Sequence, residues 1–342
     1  MTEQPLLTVT ALHCYLATRQ GVVRAVDGVS LAVHEAEVLG IVGESGCGKS
    51  VTCRTIVGLM PAGIAHTSGE VIYHPRGDQS ILTASPAQLR SLRGSQLAMI
   101  FQDPMTALNP VRTVGDQLLE AVTAHVRLSR SQARARALDL LSRVGIPAPA
   151  RRMNDYPFQF SGGMLQRALI AIALASSPRL LLADEPTTSL DVIIQDQILS
   201  LLLELQRDTG MSMILVSHDL AVITEVCDRI VVMYAGQIVE EGTVADIITA
   251  PRHPYTRALL DALPQPSHQD ADHQDAGPRG PLRSIPGSPP SLIDVPGGCR
   301  FAPRCPLAVS ECLTWDTELL KTGEQDHLAR CWRHQEVGRP QP

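Results

Sequence analysis

The chain has 342 residues and a mass of 36.9 kDa, about twice the size of a typical domain, so we expect one large domain with an appendage, or two domains. Hydrophobic residues make up 44% of the sequence and charged residues 19%, which excludes a mainly disordered protein. The formal net charge of -6 argues against a broad nucleic-acid-binding face.

The sequence has no segment typical of membrane insertion or export. The longest charge-free stretch in its most apolar region, residues 168–178, is far shorter than the roughly 20 residues that a membrane-spanning helix needs. The first ten residues lack a basic start followed by an apolar run. We therefore expect a cytosolic chain that does not cross a bilayer by itself.

From about residue 7 to residue 250, apolar runs alternate with helical patterns, as in an α/β layer structure. Between residues 113 and 176 the apolar spacing predicts a helical subdomain. After Leu263 proline, glycine and polar residues indicate a linker or an irregular wrap. Strands, several of them continuously apolar as in a buried parallel sheet, are predicted at residues 38–42, 96–101, 179–183, 211–216 and 229–234.

A glycine-rich motif follows the first of these predicted strands and precedes a helical pattern. Its glycines let backbone N–H groups and a helix N-terminus face phosphate oxygens, while Lys49 reaches the β- and γ-phosphates and Ser50 offers a hydroxyl to Mg²⁺. An ordinary glycine-rich turn is the alternative, but the strand and the helix around the motif favour a nucleoside triphosphate site. The predicted binding residues are Gly43, Glu44, Ser45, Gly46, Cys47, Gly48, Lys49, Ser50 and Val51.

Cys47 lies inside this motif and has two interpretations. It is a tolerated small residue, or it is a reactive thiol. Because the cytosol keeps thiols reduced and nothing nearby suggests redox chemistry, we favour the first.

Two adjacent carboxylates end the predicted strand at residues 179–183. Asp184 is placed to hold Mg²⁺, and Glu185 to polarise a water for attack on the γ-phosphate. Adjacent acids in a loop are more often simply solvated, but the apolar strand before them and the phosphate motif upstream favour catalysis.

A third motif separates this chain from other phosphate-loop proteins. Ser161, Gly162 and Gly163 precede an apolar helical run, so that a helix N-terminus with two small residues is open to a γ-phosphate. Ser161 could instead be an ordinary helix N-cap. With the other two motifs, this segment resembles the signature of the nucleotide-binding subunits of ATP-binding cassette (ABC) transporters.

The resemblance covers about residues 7 to 250 and implies further roles. It implies that Gln102 contacts the metal and the attacking water and relays their state to membrane subunits. It implies that His218 lies beside the γ-phosphate, although a single histidine after a strand is usually structural. It also implies that Ser189, Leu190 and Asp191 contact an opposing monomer.

Three features depart from the family pattern. Leu165, in the signature, stands where close relatives often have arginine, which removes a positive charge but keeps the backbone donors. Ala36 stands where members usually have glycine, and since alanine is strained at positive φ we expect a slightly altered turn there. The aromatic residue that stacks on adenine is expected near residues 15 and 16, which leaves Tyr15 and Leu16 as candidates.

The last part of the chain carries four of the eight cysteines, Cys299, Cys305, Cys312 and Cys331. In a cytosolic chain this pattern favours a metal site over disulfides, and four thiolates suit zinc or an iron–sulfur cluster. Residues 251–260, 285–290 and 299–306 are similar to the C-terminal extension of dipeptide, oligopeptide and nickel importer ATPases. That resemblance implies a [4Fe-4S] cluster, and zinc or no metal remain alternatives. We favour a structural role over electron transfer, because the sequence shows no partner redox group.

The sequence therefore predicts an α/β P-loop NTPase of the ABC type over residues 1–262, with a helical subdomain at about 103–176. An irregular, cysteine-containing C-terminal extension is predicted over residues 263–342. The implied activity is ATP hydrolysis that powers the import of dipeptides or oligopeptides, with Glu185, His218 and Gln102 as the catalytic residues and Mg²⁺ as the cofactor. Alternatives are import of nickel or another small solute, and a soluble ABC ATPase of DNA repair or translation.

The implied partners are a second ATPase subunit, two transmembrane permease subunits and an extracytoplasmic solute-binding protein, with no nucleic acid. Family analogy favours a related second ATPase subunit, and an identical copy is the alternative. The implied location is peripheral, at the cytoplasmic face of the inner membrane. A second ATPase is required because the signature at Ser161 acts on nucleotide held by another chain.

Overall fold

The computed structural model describes residues 4–75, 77–188, 190–263, 285–315, 318–322 and 326–337, so Ser189 and residues 264–284 lie outside the described part. The strands are β1 (Leu7–Thr18), β2 (Gly21–Val33), β3 (Val38–Val42), β4 (Ala65–Tyr73), β5 (Gln79–Ser80), β6 (Leu97–Ile100), β7 (Leu180–Asp184), β8 (Ser212–Ser217), β9 (Arg229–Tyr234), β10 (Gln237–Thr243), β11 (Leu320–Lys321) and β12 (Leu328–Ala329). The α-helices are α1 (Lys49–Ile56), α2 (Pro86–Leu92), α3 (Pro104–Ala107), α4 (Val114–Thr123), α5 (Arg130–Arg143), α6 (Pro149–Arg152), α7 (Gly162–Ala173), α8 (Val192–Thr209), α9 (Leu220–Val226), α10 (Val244–Thr249) and α11 (Pro254–Asp261).

The larger sheet has the strand order β11-β12-β10-β9-β3-β8-β7-β6. The five strands from β9 to β6 are parallel, and β10, β12 and β11 continue the sheet in antiparallel pairings. Every residue of β3 and β7 is buried, as their apolar sequences require. The predicted strands at residues 38–42 and 229–234 match β3 and β9, and the other three predicted strands differ from β6, β7 and β8 by one residue at each end.

A smaller antiparallel sheet, ordered β2-β1-β4-β5, covers one face of the larger one. Its apolar side chains share a core with α1 and with alternate residues of β3, β7 and β8, such as Leu39 and Leu182. The opposite face of the larger sheet packs against a second core that includes residues of α4, α5, α7 and α8. The glycine-rich motif thus follows β3, a strand held between the two cores. The two carboxylates lie at the end of β7, with Asp184 as its last residue and Glu185 directly after it.

Ala36 precedes β3 with a φ of 57°, in the left-handed region. Ala36 therefore adopts the left-handed conformation that is strained for alanine. Gln206, from α8, donates its side-chain N–H to the Ala36 carbonyl at 2.8 Å. This contact with a neighbouring helix holds the turn in place.

The end of the chain is attached to the larger sheet. β12 pairs with β10 through Glu240 and Glu241. Glu240 is fully buried, and its carboxylate accepts hydrogen bonds from the His327 ring at 2.8 Å and the His253 backbone N–H at 2.9 Å. Residues far apart in the chain are therefore joined around one buried carboxylate.

Candidate functional site

The glycine loop, residues 43–48, connects β3 to α1 and has a shape that only glycine allows at two positions. A Cβ on Gly43 would lie 2.2 Å from the Met233 carbonyl oxygen. Gly48 has a φ of 106°, and its Cβ would lie 2.1 Å from the Ala25 carbonyl oxygen. In the part of the chain that the structure describes, no side chain caps the N-terminus of α1, so its first N–H groups point out of the helix without a capping partner.

Lys49, at the start of α1, is buried against this loop. Its ammonium donates to the Gly43 carbonyl at 2.8 Å and to the Glu44 carbonyl at 3.1 Å, and it lies 3.7 Å from a Glu185 carboxylate oxygen. The loop thus holds the cation in place before any phosphate binds.

Cys47, in the same loop, is 5% exposed, and burial raises the pKa of its thiol. This environment disfavours the thiolate, so the structure supports the packing interpretation of this cysteine.

Asp184, at the end of β7, has one satisfied and one unsatisfied carboxylate oxygen. The first accepts a hydrogen bond from the Ser50 hydroxyl at 2.7 Å, and the second is buried without a partner among the described residues. Burial raises the pKa of Asp184. An unpartnered buried carboxylate oxygen beside a hydroxyl is a donor set that suits a hard cation such as Mg²⁺.

Glu185 is the meeting point of the predicted catalytic residues. Its carboxylate accepts a hydrogen bond from the Gln102 amide at 3.1 Å and lies 3.2 Å from Nδ1 of His218. A further donor, the Thr188 hydroxyl at 2.9 Å, was missed by the sequence analysis. The sequence signal that could have identified Thr188 was its position three residues after Glu185 in the same loop.

The signature segment, residues 161–163, lies apart from this cluster. The Ser161 hydroxyl caps α7 by accepting from the Met164 N–H at 3.4 Å, and Ser161 and Gly162 are exposed. Gly163 packs against Ile194, which lies near the N-terminus of α8. The Asp191 carboxylate caps that helix by accepting a hydrogen bond from the Ile194 N–H at 3.0 Å. Among the described residues, no hydrogen bond or ion pair joins the signature segment to Lys49, Asp184 or Glu185.

Tyr15 and Leu16 have different surroundings in β1. The Tyr15 hydroxyl donates to Asp27 at 2.6 Å, and the Arg24 guanidinium lies 5.9 Å from the Tyr15 ring centroid. Leu16 packs instead against the apolar core below the smaller sheet. Leu16 therefore belongs to the core, whereas the aromatic ring of Tyr15 lies outside it.

The four cysteines near the end of the chain line one cavity, which we call the cysteine cavity. Cys299 and Cys312 are joined by a backbone hydrogen bond of 2.8 Å, and Trp315 and Trp332 also contribute to the lining. Burial raises the pKa of Cys305 to about 11 and that of Cys331 to about 12. In the described part of the chain, no three histidine, cysteine or acidic side chains are placed to hold a metal ion.

Among the described residues, no helix has the length and apolar character to cross a membrane.

The sequence matches two protein-family models. Residues 26–188 match the model for ABC transporters, and residues 239–312 match the model for the oligopeptide/dipeptide transporter C-terminal region. Among solved structures, a dimeric post-hydrolysis ATP-binding cassette, MJ0796 bound to ADP and Pi, is similar with a TM-score of 0.62 and 28% identity. That similarity covers 70% of this chain and 98% of the other.

Curated relatives are similar over almost the whole chain. A probable peptide ABC transporter ATP-binding protein of Sinorhizobium fredii is 48% identical, over 97% of this chain and 96% of its own. The dipeptide transport ATP-binding protein DppD of Bacillus subtilis is 46% identical, over 96% of this chain and 95% of its own. The chain therefore belongs to the family of ABC transporter ATP-binding proteins, in the group that carries the oligopeptide/dipeptide transporter C-terminal region.

Proposed function

We propose that this chain is the ATP-hydrolysing subunit of an ABC importer of dipeptides or oligopeptides. The main support for ATP hydrolysis is the set of contacts of the Glu185 carboxylate beside the glycine loop. Its oxygens lie 3.1 Å from the Gln102 amide nitrogen, 3.2 Å from Nδ1 of His218 and 3.7 Å from the Lys49 ammonium. The peptide substrate rests on the relatives, whose names describe peptide and dipeptide transport. Uptake of radiolabelled dipeptide, measured with and without excess nickel as a competitor, distinguishes peptide import from nickel import, which is the main alternative.

The loop residues bind the triphosphate. Backbone N–H groups of residues 43–51 would face the β- and γ-phosphates, and the Lys49 ammonium, which donates to the Gly43 and Glu44 carbonyls, would exchange part of that contact for a phosphate oxygen. Ser50, Gln102 and the unpartnered oxygen of Asp184 would hold Mg²⁺. When bound, the metal neutralises charge that develops on the transferred phosphoryl group. Tyr15 is proposed as the residue that stacks on adenine.

Glu185 orients the attacking water. Its carboxylate accepts a proton from water as the oxygen attacks the γ-phosphorus, the bond to the bridging oxygen breaks, and ADP and phosphate result. Gln102, Thr188 and His218 hold the carboxylate in one orientation. Since Nδ1 of His218 faces Glu185, the other ring nitrogen is left for the γ-phosphate.

Replacing Glu185 by glutamine tests this assignment. The amide keeps the size of the side chain but is a far weaker base, so we expect hydrolysis to fall by about 100-fold or more while the Kd for ATP stays within about threefold. Phosphate release and equilibrium nucleotide binding measure the two effects. Glu204→Gln, on the exposed side of α8, is the matched control. Full turnover in Glu185→Gln would show that another group positions the water.

The working assembly contains more than this chain. Because the signature segment is separated from the chain's own glycine loop, we infer that it completes the site of a second, related ATPase subunit. The pair docks on two permease subunits at the cytoplasmic face of the inner membrane and receives solute from an extracytoplasmic binding protein. Within the chain, we assign residues 1–262 to the nucleotide-binding domain, about 103–176 to its helical subdomain and 263–342 to the extension.

We also propose that Cys299, Cys305, Cys312 and Cys331 hold a [4Fe-4S] cluster, with zinc as the alternative. The support is that all four thiols line one cavity. The cavity volume is about 20 Å³, close to that of a single water molecule, so the side chains that line the cavity must rearrange to admit a cluster. When bound, a cluster supplies four metal–thiolate bonds that cross-link the extension.

Metal analysis of anaerobically purified protein tests the cluster. We expect about four iron and four sulfide per chain and visible absorbance, and both should be lost in the Cys305→Ser, Cys312→Ser double variant. Cys227→Ser, outside the cavity, is the control for the loss of a thiol. Zinc at one equivalent per chain would replace the cluster assignment, and absence of any metal would refute both.

A further inference from the structure

The C-terminal extension contacts the glycine loop directly through Arg304. The Arg304 guanidinium donates to both carboxylate oxygens of Glu44, at 2.8 and 3.0 Å. It also donates to the Pro286 carbonyl at 2.8 Å and to the Tyr234 hydroxyl at 3.2 Å. A guanidinium bound at this many points has one orientation, so the Glu44 side chain is held in a defined place.

The backbone of Glu44 is held as well. Its N–H donates to the Tyr255 hydroxyl at 2.9 Å, and its carbonyl accepts from the Lys49 ammonium at 3.1 Å. Tyr255 is fully buried and packs against Tyr234, with ring centroids 4.7 Å apart. Glu44 thus connects Lys49 to Tyr255 in α11 and to Arg304 in the extension.

The charge of Glu44 makes this connection important. A carboxylate on the loop that receives a triphosphate repels it, unless a cation neutralises the carboxylate first. The Arg304 side chain is 5% exposed and that of Glu44 is 25% exposed, so water screens the pair only in part. The hydrogen bonds to Glu44 raise the pKa of Arg304, which therefore remains charged.

We propose that Arg304 is a positioning residue for ATP binding: it neutralises Glu44 and holds the glycine loop open to the triphosphate. The inference rests on the proposed function of the loop as the ATP site and adds that the extension belongs to that site. Residues of the extension thereby influence nucleotide affinity without touching the nucleotide.

The test compares the ATP affinity of three full-length variants, measured with a fluorescent ATP analogue and by calorimetry. Arg304→Gln leaves the Glu44 carboxylate unpaired beside the loop, so we expect a Kd for ATP about tenfold higher. Adding Glu44→Gln removes the repelling charge and should bring the Kd back to within about threefold of the unsubstituted chain. Arg333→Gln, which breaks a two-point ion pair with Glu336 inside the extension, should leave the Kd unchanged.

Salt dependence distinguishes this role from a merely structural one. The loss of affinity in Arg304→Gln should be larger at 0.05 M than at 0.5 M salt, because screening weakens the repulsion. An unchanged Kd in Arg304→Gln, or no recovery in the double variant, would overturn the inference. Failure of the unsubstituted chain to bind ATP would instead overturn the proposed function.

Discussion

Glu185 has a φ of 47°, a left-handed conformation that costs a non-glycine residue about 1–2 kcal/mol. The backbone is held there by a hydrogen bond from its N–H to the Val216 carbonyl at 3.1 Å. Its carboxylate is held by the Gln102 amide and the Thr188 hydroxyl. A strained residue persists where its surroundings over-determine it, and here the result is a carboxylate aimed at one point beside Lys49.

Ala36 also has a left-handed φ but lies outside the proposed catalytic cluster, so the effect of its strain on stability can be predicted. Since glycine is not strained at a φ of 57°, Ala36→Gly should raise the free energy of unfolding by about 0.5–1 kcal/mol, after the larger entropy of an unfolded glycine is subtracted. Urea denaturation measures the effect. Ala135→Gly, on the exposed face of α5, should instead lower it by about 0.5–1 kcal/mol. A loss of stability in Ala36→Gly would mean that the strain is absent.

At the level of elements, the central strands could be predicted because burial on both faces leaves a continuous apolar run. β3 and β9 match their predictions to the residue. β1 was not predicted as a strand, because its register shifts between Val9 and Leu12, where Ala11 has a φ of 44°. A bulge of this kind interrupts the period of two by which a half-buried strand is read from sequence.

The phosphate and carboxylate motifs could be predicted for a similar reason: each is a short segment after a buried strand, and parallel strands bring those segments to one edge of the sheet. The Arg304–Glu44 pair could not be predicted, because its partners are separated by 260 residues. No local pattern records which arginine of an irregular segment reaches a loop so distant in the chain.

At the scale of the molecule, the two segments that are proposed to bind phosphate have different surroundings. Lys49, Ser50 and the two carboxylates lie together beside the glycine loop. The exposed N-terminus of α7 is capped by Ser161 and, among the described residues, forms no hydrogen bond or ion pair with that cluster. A helix N-terminus with exposed small residues is suited to a phosphate from outside the chain. In the assembly proposed above, closure of two subunits around ATP would be a two-state change that nucleotide favours and hydrolysis reverses.

Replacing Ser161 by aspartate separates the chain's own ATP binding from assembly. Aspartate caps a helix as well as serine does, so α7 should stay intact, but its charge repels a γ-phosphate brought by the partner subunit. We expect an unchanged Kd for ATP in the isolated chain, and loss of ATP-dependent dimers when the variant carries Glu185→Gln, measured by analytical ultracentrifugation with the cognate ATPase subunit. Ser161→Asn, a neutral cap, should retain the dimers. Weaker ATP binding by the isolated Ser161→Asp chain would place the signature segment at its own nucleotide instead.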